Sequence, residues 1–330
     1  MPSIEISLDQ IEQATINALV AHGASEWIAN CVAKAVRVAE QNGNVICGLY
    51  YLDSYCTQLK TGRVNGRVDP VVSKPREGIV SVDAKFGFAQ PAFESGLAQA
   101  IDAVQLNGTA NLVICHSHTC TSMGYFTEQI AKAGFIGIGM TNAPACVSPP
   151  GGNKALLGTN PIAMSIPDGN GGIAMQFDQS TSAIAIGKIR IAAANHEKIP
   201  LNWAVDANGE PTDDPNEALK GSLVSAGGYK GFGFGLMAEI LAAAITGSNN
   251  SVSAPPLKTP EGPTHDLGQF YFLVDPTAVS GDQFWQRLSI IEKSIEDQPN
   301  ARLPGSKRKL NNVVKLDQSL WDSIEALGHI

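Results

Sequence analysis

Apolar positions recur at helical spacing near both ends of the chain and at strand spacing through its middle. Ser7-Leu-Asp-Gln10 has the form of a capping box, and Ile11, Ala14, Ala18 and Leu19 supply the apolar stripe of the helix it opens. A second stripe, Ile28, Cys31, Val32, Ala35 and Val36, begins after Ser25 and stops near Gly43. Residues 49–60 again read as helix, and the turn-rich TGRVNGRVDP closes this segment. From about residue 78 the pattern changes. GIVSVDA, ANLVICHS, GFIGIGMTN, NPIAMSIP and GGIAMQFD predict strands, interrupted by one helix, PAFESGLAQAIDAVQLNG. A polar passage over 198–222 predicts a loop, and GGYKGFGFGLMAEILAAAITG (227–247) a glycine-rich turn feeding an apolar helix. Beyond the proline-rich SAPPLKTPEGP come a strand, QFYFLVD, an amphipathic helix over 281–296 and a last helix. No internal repeat is found. Helices, then a mixed sheet, then helices predict an α/β protein that is not an alternating doubly wound one. The expected division is a helical lobe over 1–75, continued by 285–330, and a mixed-sheet domain over 76–284.

Composition narrows the class. Of 330 residues, 44% are hydrophobic and only 16% charged, which suits a globule with large internal surfaces or one that hides surface in an oligomer. The net charge is −8, the pI is about 5.3, and lysine and arginine form no long block, so neither nucleic acid nor an anionic membrane is an expected partner. The start, MPSIEISLDQIEQ, is polar and acidic where a secretory signal would be basic and then apolar. The longest apolar helix, about Phe234 to Thr246, is too short to span a bilayer and carries Glu239. Cysteines 31, 47, 56, 115, 120 and 146 form no CxxC pair, so reduced thiols and a cytoplasmic location are expected.

Two stretches carry candidate chemistry. In 227–247 the glycines run G-x-G-x-G (Gly231, Gly233, Gly235), without the third glycine of the dinucleotide fingerprint and without a βαβ unit starting there. Pattern alone leaves two readings: a turn feeding a core helix, or a turn whose backbone approaches a phosphate. Cys115-His-Ser-His-Thr-Cys120 invites a metal reading. Strand alternation puts His116 and His118 on one face and Cys115 on the other, so no four-ligand metal site is expected from this segment.

GFAQPA (87–92), MTNAPACVSPPGG (140–152), LGTNPIA (157–163), FDQSTSA (177–183), VDANGEPTDDP (205–215), the 227–247 stretch and LPG (303–305) resemble the non-Rossmann malate/L-lactate dehydrogenase family over nearly the whole chain. GFAQPA and ACVSPPGG look most like the branch that reduces Δ1-piperideine-2-carboxylate and Δ1-pyrroline-2-carboxylate. The resemblance implies a largely antiparallel central sheet, a helical lobe formed by both chain ends, a homodimer, and NADPH or NADH as cofactor. It places Tyr229 and Lys230 of the Y-K-G turn, the strand end Gln176, Phe177, Asp178, Gln179 and Ser180, and Gly305, Ser306 and Lys307 at the cofactor. Two lysines would bring positive charge to phosphates while glycines allow close backbone approach.

The chain departs from the family pattern where a proton donor is expected. Most members carry S-H-G-x-x-R after the second helix; here Cys47 occupies the histidine position and Tyr51 the arginine position. A second family histidine falls on Thr119, beside His118, and an aspartate of the imino-acid branch falls on Lys188. Cys47, His118 and Lys188 are therefore the catalytic candidates, and Tyr51, Thr119 and Thr159 the substrate-binding ones. Cys47 reads equally as a donor thiol or as a small side chain filling vacated space. Hydride addition to a ketone creates an alkoxide that needs a proton, whereas a cyclic iminium already carries one. Three functions follow: reduction of a cyclic imino acid; dehydrogenation of a 2-hydroxy acid with Cys47 or His118 as donor; or a pseudoenzyme that keeps only the fold and the cofactor.

Overall fold

The computed structural model describes residues 3–305 and 312–329, so Ser306 and Lys307 lie outside the described residues. β1 (Ser3–Ser7) enters α1 (Leu8–Ala21) through the capping box: Ser7 N–H donates to Gln10 Oε1 at 3.0 Å and Gln10 N–H to Ser7 Oγ at 3.3 Å. α2 (Glu26–Gln41) starts at Ser25, whose Oγ accepts from Ile28 N–H. Two short 3₁₀ turns, Val45–Cys47 and Leu49–Tyr51, then lead into α3 (Leu52–Lys60). The stripes of these helices bury Ile11, Leu19, Ile28, Val32, Leu52 and Tyr55 against Leu316, Trp321 and Ile324. The last three come from β11 (Val313–Asp317) and α10 (Gln318–Leu327), and β11 pairs antiparallel with β1. One core thus joins both ends of the chain.

The central sheet contains β2 (Val71–Arg76), β3 (Ile79–Asp83), β4 (Thr109–Ser117), β5 (Ile136–Thr141), β6 (Ile162–Pro167), β7 (Ile173–Gln179) and β10 (Leu267–Val274), in the order β2-β3-β4-β10-β5-β6-β7. β3 and β4 are parallel and joined by the crossover helix α4 (Ala89–Asn107); the other neighbouring pairs are antiparallel. This is the expected non-Rossmann, largely antiparallel sheet. A dinucleotide therefore cannot sit at a parallel switch point and must find another surface.

Several elements depart from the sequence pattern: it does not mark the strands Ser3–Ser7 and Val313–Asp317 or the helix Ile186–Ala194, and the 198–222 passage expected as a loop holds two short strands and the helical turn Pro215–Lys220. Two further departures have a clear cause. A second helix, α5 (Gly124–Lys132), interrupts the strands; it has nine residues and no side-chain cap, which left it without a legible start. β2 lies in a stretch that carries Lys74 and Pro75. It is an exposed edge strand, where charge and proline are tolerated and apolar alternation is not needed.

Alternation in β5 explains how the sheet presents two different faces. Gly137 and Gly139 point at α5, and a Cβ on Gly139 would press to within 2.8–3.0 Å of Met123, Thr127 and Tyr271. Ile138 and Met140 point the other way, with Ile162, Phe177 and Phe272 beside them. That second face is covered by α8 (Tyr229–Glu239), which continues as a π-helical turn over Ile240–Ala244. Buried Glu239 anchors α8: its carboxylate accepts from Asn160 Nδ2 (2.9 Å), Asn250 Nδ2 (3.2 Å) and Ser251 N–H (2.7 Å). A smaller core around Val147, Leu157, Ile189 and Leu223 holds α6 (Ile186–Ala194), α7 (Pro215–Lys220) and the ribbon of β8 (Ala204–Val205) with β9 (Ser222–Leu223). α9 (Gln283–Glu296) sets Trp285 against Gly169 in the β6–β7 turn.

Candidate active site

The turn that carries Cys47 and Tyr51 is shaped by a buried acid. Glu40, on α2, is 3% exposed and accepts the Leu49 N–H at 2.7 Å through Oε1. Its carboxyl group lies so close to Gly48 that any Cβ there would collide with it. Burial pushes the Glu40 pKa up, against the pull of the Leu49 N–H. The two 3₁₀ turns pivot on Gly48 and set Cys47 and Tyr51 where the helical lobe faces the sheet.

Cys47 is half-buried. Desolvation, followed by the nearby charge of Asp178, pushes its thiol up to about 12, while Asn44 and Lys258 pull it down. At neutral pH it is a thiol and a reluctant acid. Asp178 itself accepts from Ser122 Oγ (2.9 Å) and Gly124 N–H (2.8 Å), which hold it on the α5 side of β7. Tyr51 is buried, its Oη has no hydrogen-bond partner among the described residues, and burial raises its pKa. It packs at 4.9 Å, centroid to centroid, on Tyr55.

His118 lies deeper, 1% exposed, among Tyr55, Phe88 and His265, with its ring stacked on that of His265 at 3.9 Å. The neighbours assign its tautomer. Gln58 Nε2 donates to Leu257 O at 2.7 Å, so Gln58 Oε1 is the acceptor that faces His118 Nε2 at 2.8 Å. Nε2 therefore carries the proton and Nδ1, which has no partner, carries the lone pair. Burial and the neighbouring His265 hold its pKa well below the usual histidine range. His265 accepts the Thr119 N–H on Nδ1 at 3.3 Å, and burial with the Arg63 charge lowers it to about 3. Both imidazoles are neutral at physiological pH.

Strand alternation does not carry through the Cys115–Cys120 segment. His116 has a left-handed φ of 50°, and the register of β4 against β10 shifts between Leu267 and Gln269. His116 consequently turns away from His118 and joins Cys115, with its Nδ1 3.1 Å from Asp83 Oδ1. The expectation that His116 and His118 share a face is corrected by this bulge. Asp83, Cys115 and His116 bring ligand-type atoms within 4.8 Å of one another, but the Lys85 ammonium already neutralises Asp83 at 2.9 Å.

The cofactor candidates divide between two surfaces. Phe177, Gln179 and Ser180 line a cleft of about 570 Å³ between the sheet and α8, together with Gly231, Phe234 and Phe272. Gln176 and Asp178, on the opposite face of β7, point towards α5; Gln176 Nε2 donates to Gly124 O (2.9 Å) and Ser165 Oγ (2.8 Å). Gly305 runs beside Gln176, whose N–H donates to Pro304 O at 3.1 Å. Tyr229 and Lys230 are exposed in the first turn of α8, after two consecutive left-handed glycines, Gly227 and Gly228. Thr159 is half-buried at the entry to β6, where its carbonyl accepts from Thr181 N–H at 2.9 Å. Lys188 is exposed on α6. The aromatic, largely apolar lining of the 570 Å³ cleft suits a planar heterocycle, and the glycine turn and Lys230 lie next to it.

Gln58, Arg63, Arg190, Lys258 and His265 also belong to this region, and sequence reading missed them. Gln58 and Leu257 are 199 positions apart, and no local pattern announces such a contact.

The family model for malate/L-lactate dehydrogenase matches residues 6–325. The chain belongs to the malate/L-lactate dehydrogenase family. It is an oxidoreductase, and the family implies a nicotinamide cofactor. Over 310 residues it is 35% identical to a Δ1-pyrroline-2-carboxylate/Δ1-piperideine-2-carboxylate reductase from Pseudomonas syringae pv. tomato, covering 94% of this chain and 90% of that protein. It is also 35% identical, over 92% of this chain and 90% of the other, to an NADP(+)-dependent (2R)-3-sulfolactate dehydrogenase from Chromohalobacter salexigens. The crystal structure of Δ1-piperideine-2-carboxylate reductase from Pseudomonas syringae pv. tomato superposes with a TM-score of 0.91 at 33% identity, covering 98% of this chain and 99% of that one. The two family relatives act on different functional groups, an imine and a secondary alcohol, so the choice between them rests on the donors in this site.

Proposed function

We propose that this family member is an NAD(P)H-dependent reductase of a cyclic imino acid of the Δ1-pyrroline-2-carboxylate or Δ1-piperideine-2-carboxylate type. The observation that carries this reading is the absence of a ready acid among the described groups at positions 47 and 118. The Cys47 thiol is pushed up to about 12, and His118 is a neutral imidazole whose one N–H is committed to Gln58. When bound, the reduced nicotinamide supplies a hydride. In a protonated cyclic imine that hydride adds to C2, the C=N π electrons become the nitrogen lone pair, and a neutral amine results with no proton required from the protein. A 2-oxo acid given the same hydride would leave an alkoxide in need of one. Cys47 and Tyr51 then serve to shape the site where the helical lobe meets the sheet, with Tyr55 buried behind Tyr51. Phe177, Gln179 and Ser180, with Tyr229 and Lys230 at the glycine turn, would hold the dinucleotide, whereas Gln176 and Asp178 face α5 and do not reach that cleft. Incubation with Δ1-pyrroline-2-carboxylate and either reduced nicotinamide should yield proline in a one-to-one ratio with cofactor oxidised, read by chromatography. Cofactor consumption without proline would count against this assignment.

We further propose a cytoplasmic homodimer. All six cysteines are free thiols, in keeping with a reducing compartment. Along α8 and the turn that follows, Leu236, Ile240 and Ile245 are exposed in addition to Phe234 and Met237 at the cleft, an apolar surface that a second copy would cover. A monomer by light scattering at micromolar concentration would contradict the assembly.

A further inference from the structure

Lys258 lies in the proline-rich loop 253–263, far in sequence from the rest of the site. That loop is held by side chains of α3 and the turn after it. Gln58 Nε2 donates to Leu257 O at 2.7 Å, and Thr61 Oγ1 to Pro260 O at 2.7 Å. Arg63 directs its donors at Pro263 O (3.0 Å), Thr259 Oγ1 (2.8 Å) and Pro256 O (3.2 Å), and also bonds Thr259 O. Arg63 is 1% exposed, and among the described residues its hydrogen bonds all go to this loop, none to a carboxylate. Burying a guanidinium is costly unless its donors are satisfied, so these bonds fix the loop firmly.

The loop delivers one cation to the site. Lys258 Nζ stands 3.8 Å from the Tyr50 ring centroid and 4.7 Å from that of Tyr51, over the turn that carries Cys47. Among the described residues neither Lys258 nor Arg190 has an acidic partner, yet the charge of Arg190 on α6 is felt at Lys258. Burial and Arg190 together lower the Lys258 pKa. The Tyr51 ring, 4.7 Å from the ammonium, carries an Oη that is buried with no hydrogen-bond partner among the described residues. A cation without an acidic partner above the Tyr50 and Tyr51 rings, and a buried hydroxyl without an acceptor or donor, are both left unmatched in the free protein; an anion bound there would engage both. A surface lysine resting on a tyrosine would require neither the clamped loop nor the second cation.

We propose that Lys258 grips the substrate's carboxylate, with the Tyr51 hydroxyl as a second donor and Arg190 adding its field. The substrate class rests on the reductase reading above; the carboxylate-binding role does not. Lys258 is exposed, so its replacement leaves the fold intact. The test uses Lys258→Met, which keeps the stem, and Lys258→Arg, which keeps the charge. For wild type, kcat/KM for Δ1-pyrroline-2-carboxylate is compared with that for Δ1-pyrroline, which lacks the carboxylate. Lys258→Met should reduce this preference at least thirtyfold, mainly through KM, and Lys258→Arg should restore a good part of it. Calorimetric titration of the cofactor-loaded protein with pyrrole-2-carboxylate and with lactate gives a second readout that needs no turnover. Weakening of either ligand by tenfold or more in Lys258→Met supports the role even in a protein that reduces no imine. A smaller change in both the preference and the binding overturns it.

Discussion

Replacing Cys47 with alanine separates a thiol that shapes the pocket from one that works as an acid. Relative to its ordinary value of 9.0, a thiol at about 12 makes thiolate formation dearer by ~4 kcal/mol in this setting. Desolvation is the larger cause and Asp178 the second, so the penalty belongs to the site and persists with substrate bound. A donor that must become a desolvated thiolate beside a carboxylate gains little from acting. Cys47→Ala should therefore reduce kcat/KM for a cyclic imine by roughly tenfold or less, against the roughly 10²–10⁴-fold usual when a general acid is removed. The unfolding free energy should change by ~1 kcal/mol, since the side chain is small and only half-buried. The assay is steady-state loss of reduced-nicotinamide absorbance at several imine concentrations, with circular dichroism to confirm the fold. A loss beyond about a hundredfold in a folded variant would refute the reasoning, because it would mean that the thiol works as the proton donor.

Two further outcomes follow from the same geometry. His265, at about 3 when folded against about 6.5 unfolded, is neutral in both states above pH 6.5 and destabilises the fold as pH falls towards 3, because only the unfolded chain takes up the proton; the loss reaches ~2 kcal/mol by pH 5. Thermal melts should show an acid-side decline that His265→Gln flattens between pH 6.5 and 5, and an unchanged decline would remove this imidazole as its source. Lys230→Ala should weaken binding of reduced nicotinamide by about five- to thirtyfold, with the lower end expected because Lys230 is exposed. Equal affinity by fluorescence titration would remove Lys230 from the cofactor site.

Six of the seven strands of the central sheet were legible because each sets an apolar run between turn residues. β5 shows why the reading works: its glycines face α5 and its large side chains face the cleft, so the alternation in GFIGIGMTN is a direct record of two surfaces. Where burial is absent the record fades. β2 is an edge strand exposed along most of its length, and α5 begins at a glycine with no cap. Strand periodicity misled at His116, because one residue with a positive φ reverses the face of everything beyond it. The site divides in the same way. Cys47, Tyr51 and His118 stood out against a family pattern. Gln58, Arg63, Lys258 and His265 meet only through contacts across some 200 positions, and their residue types carry no local signal. The environment that makes Cys47 a poor acid, burial plus the Asp178 charge, exists only after folding.

The most direct test of the central claim is the ratio of kcat/KM for Δ1-pyrroline-2-carboxylate to that for pyruvate, measured near pH 7.5 with the preferred reduced nicotinamide. Both substrates present a carboxylate beside the reacting carbon, so the ratio isolates the need for a proton. With no ready acid at positions 47 and 118, the imine should be favoured by at least about a hundredfold, the lower end of what a general acid is worth. A protein that reduced pyruvate faster than the imine, and lost that activity in Cys47→Ala, would be an oxo-acid reductase with a thiol donor, and the assignment as an imine reductase would be wrong.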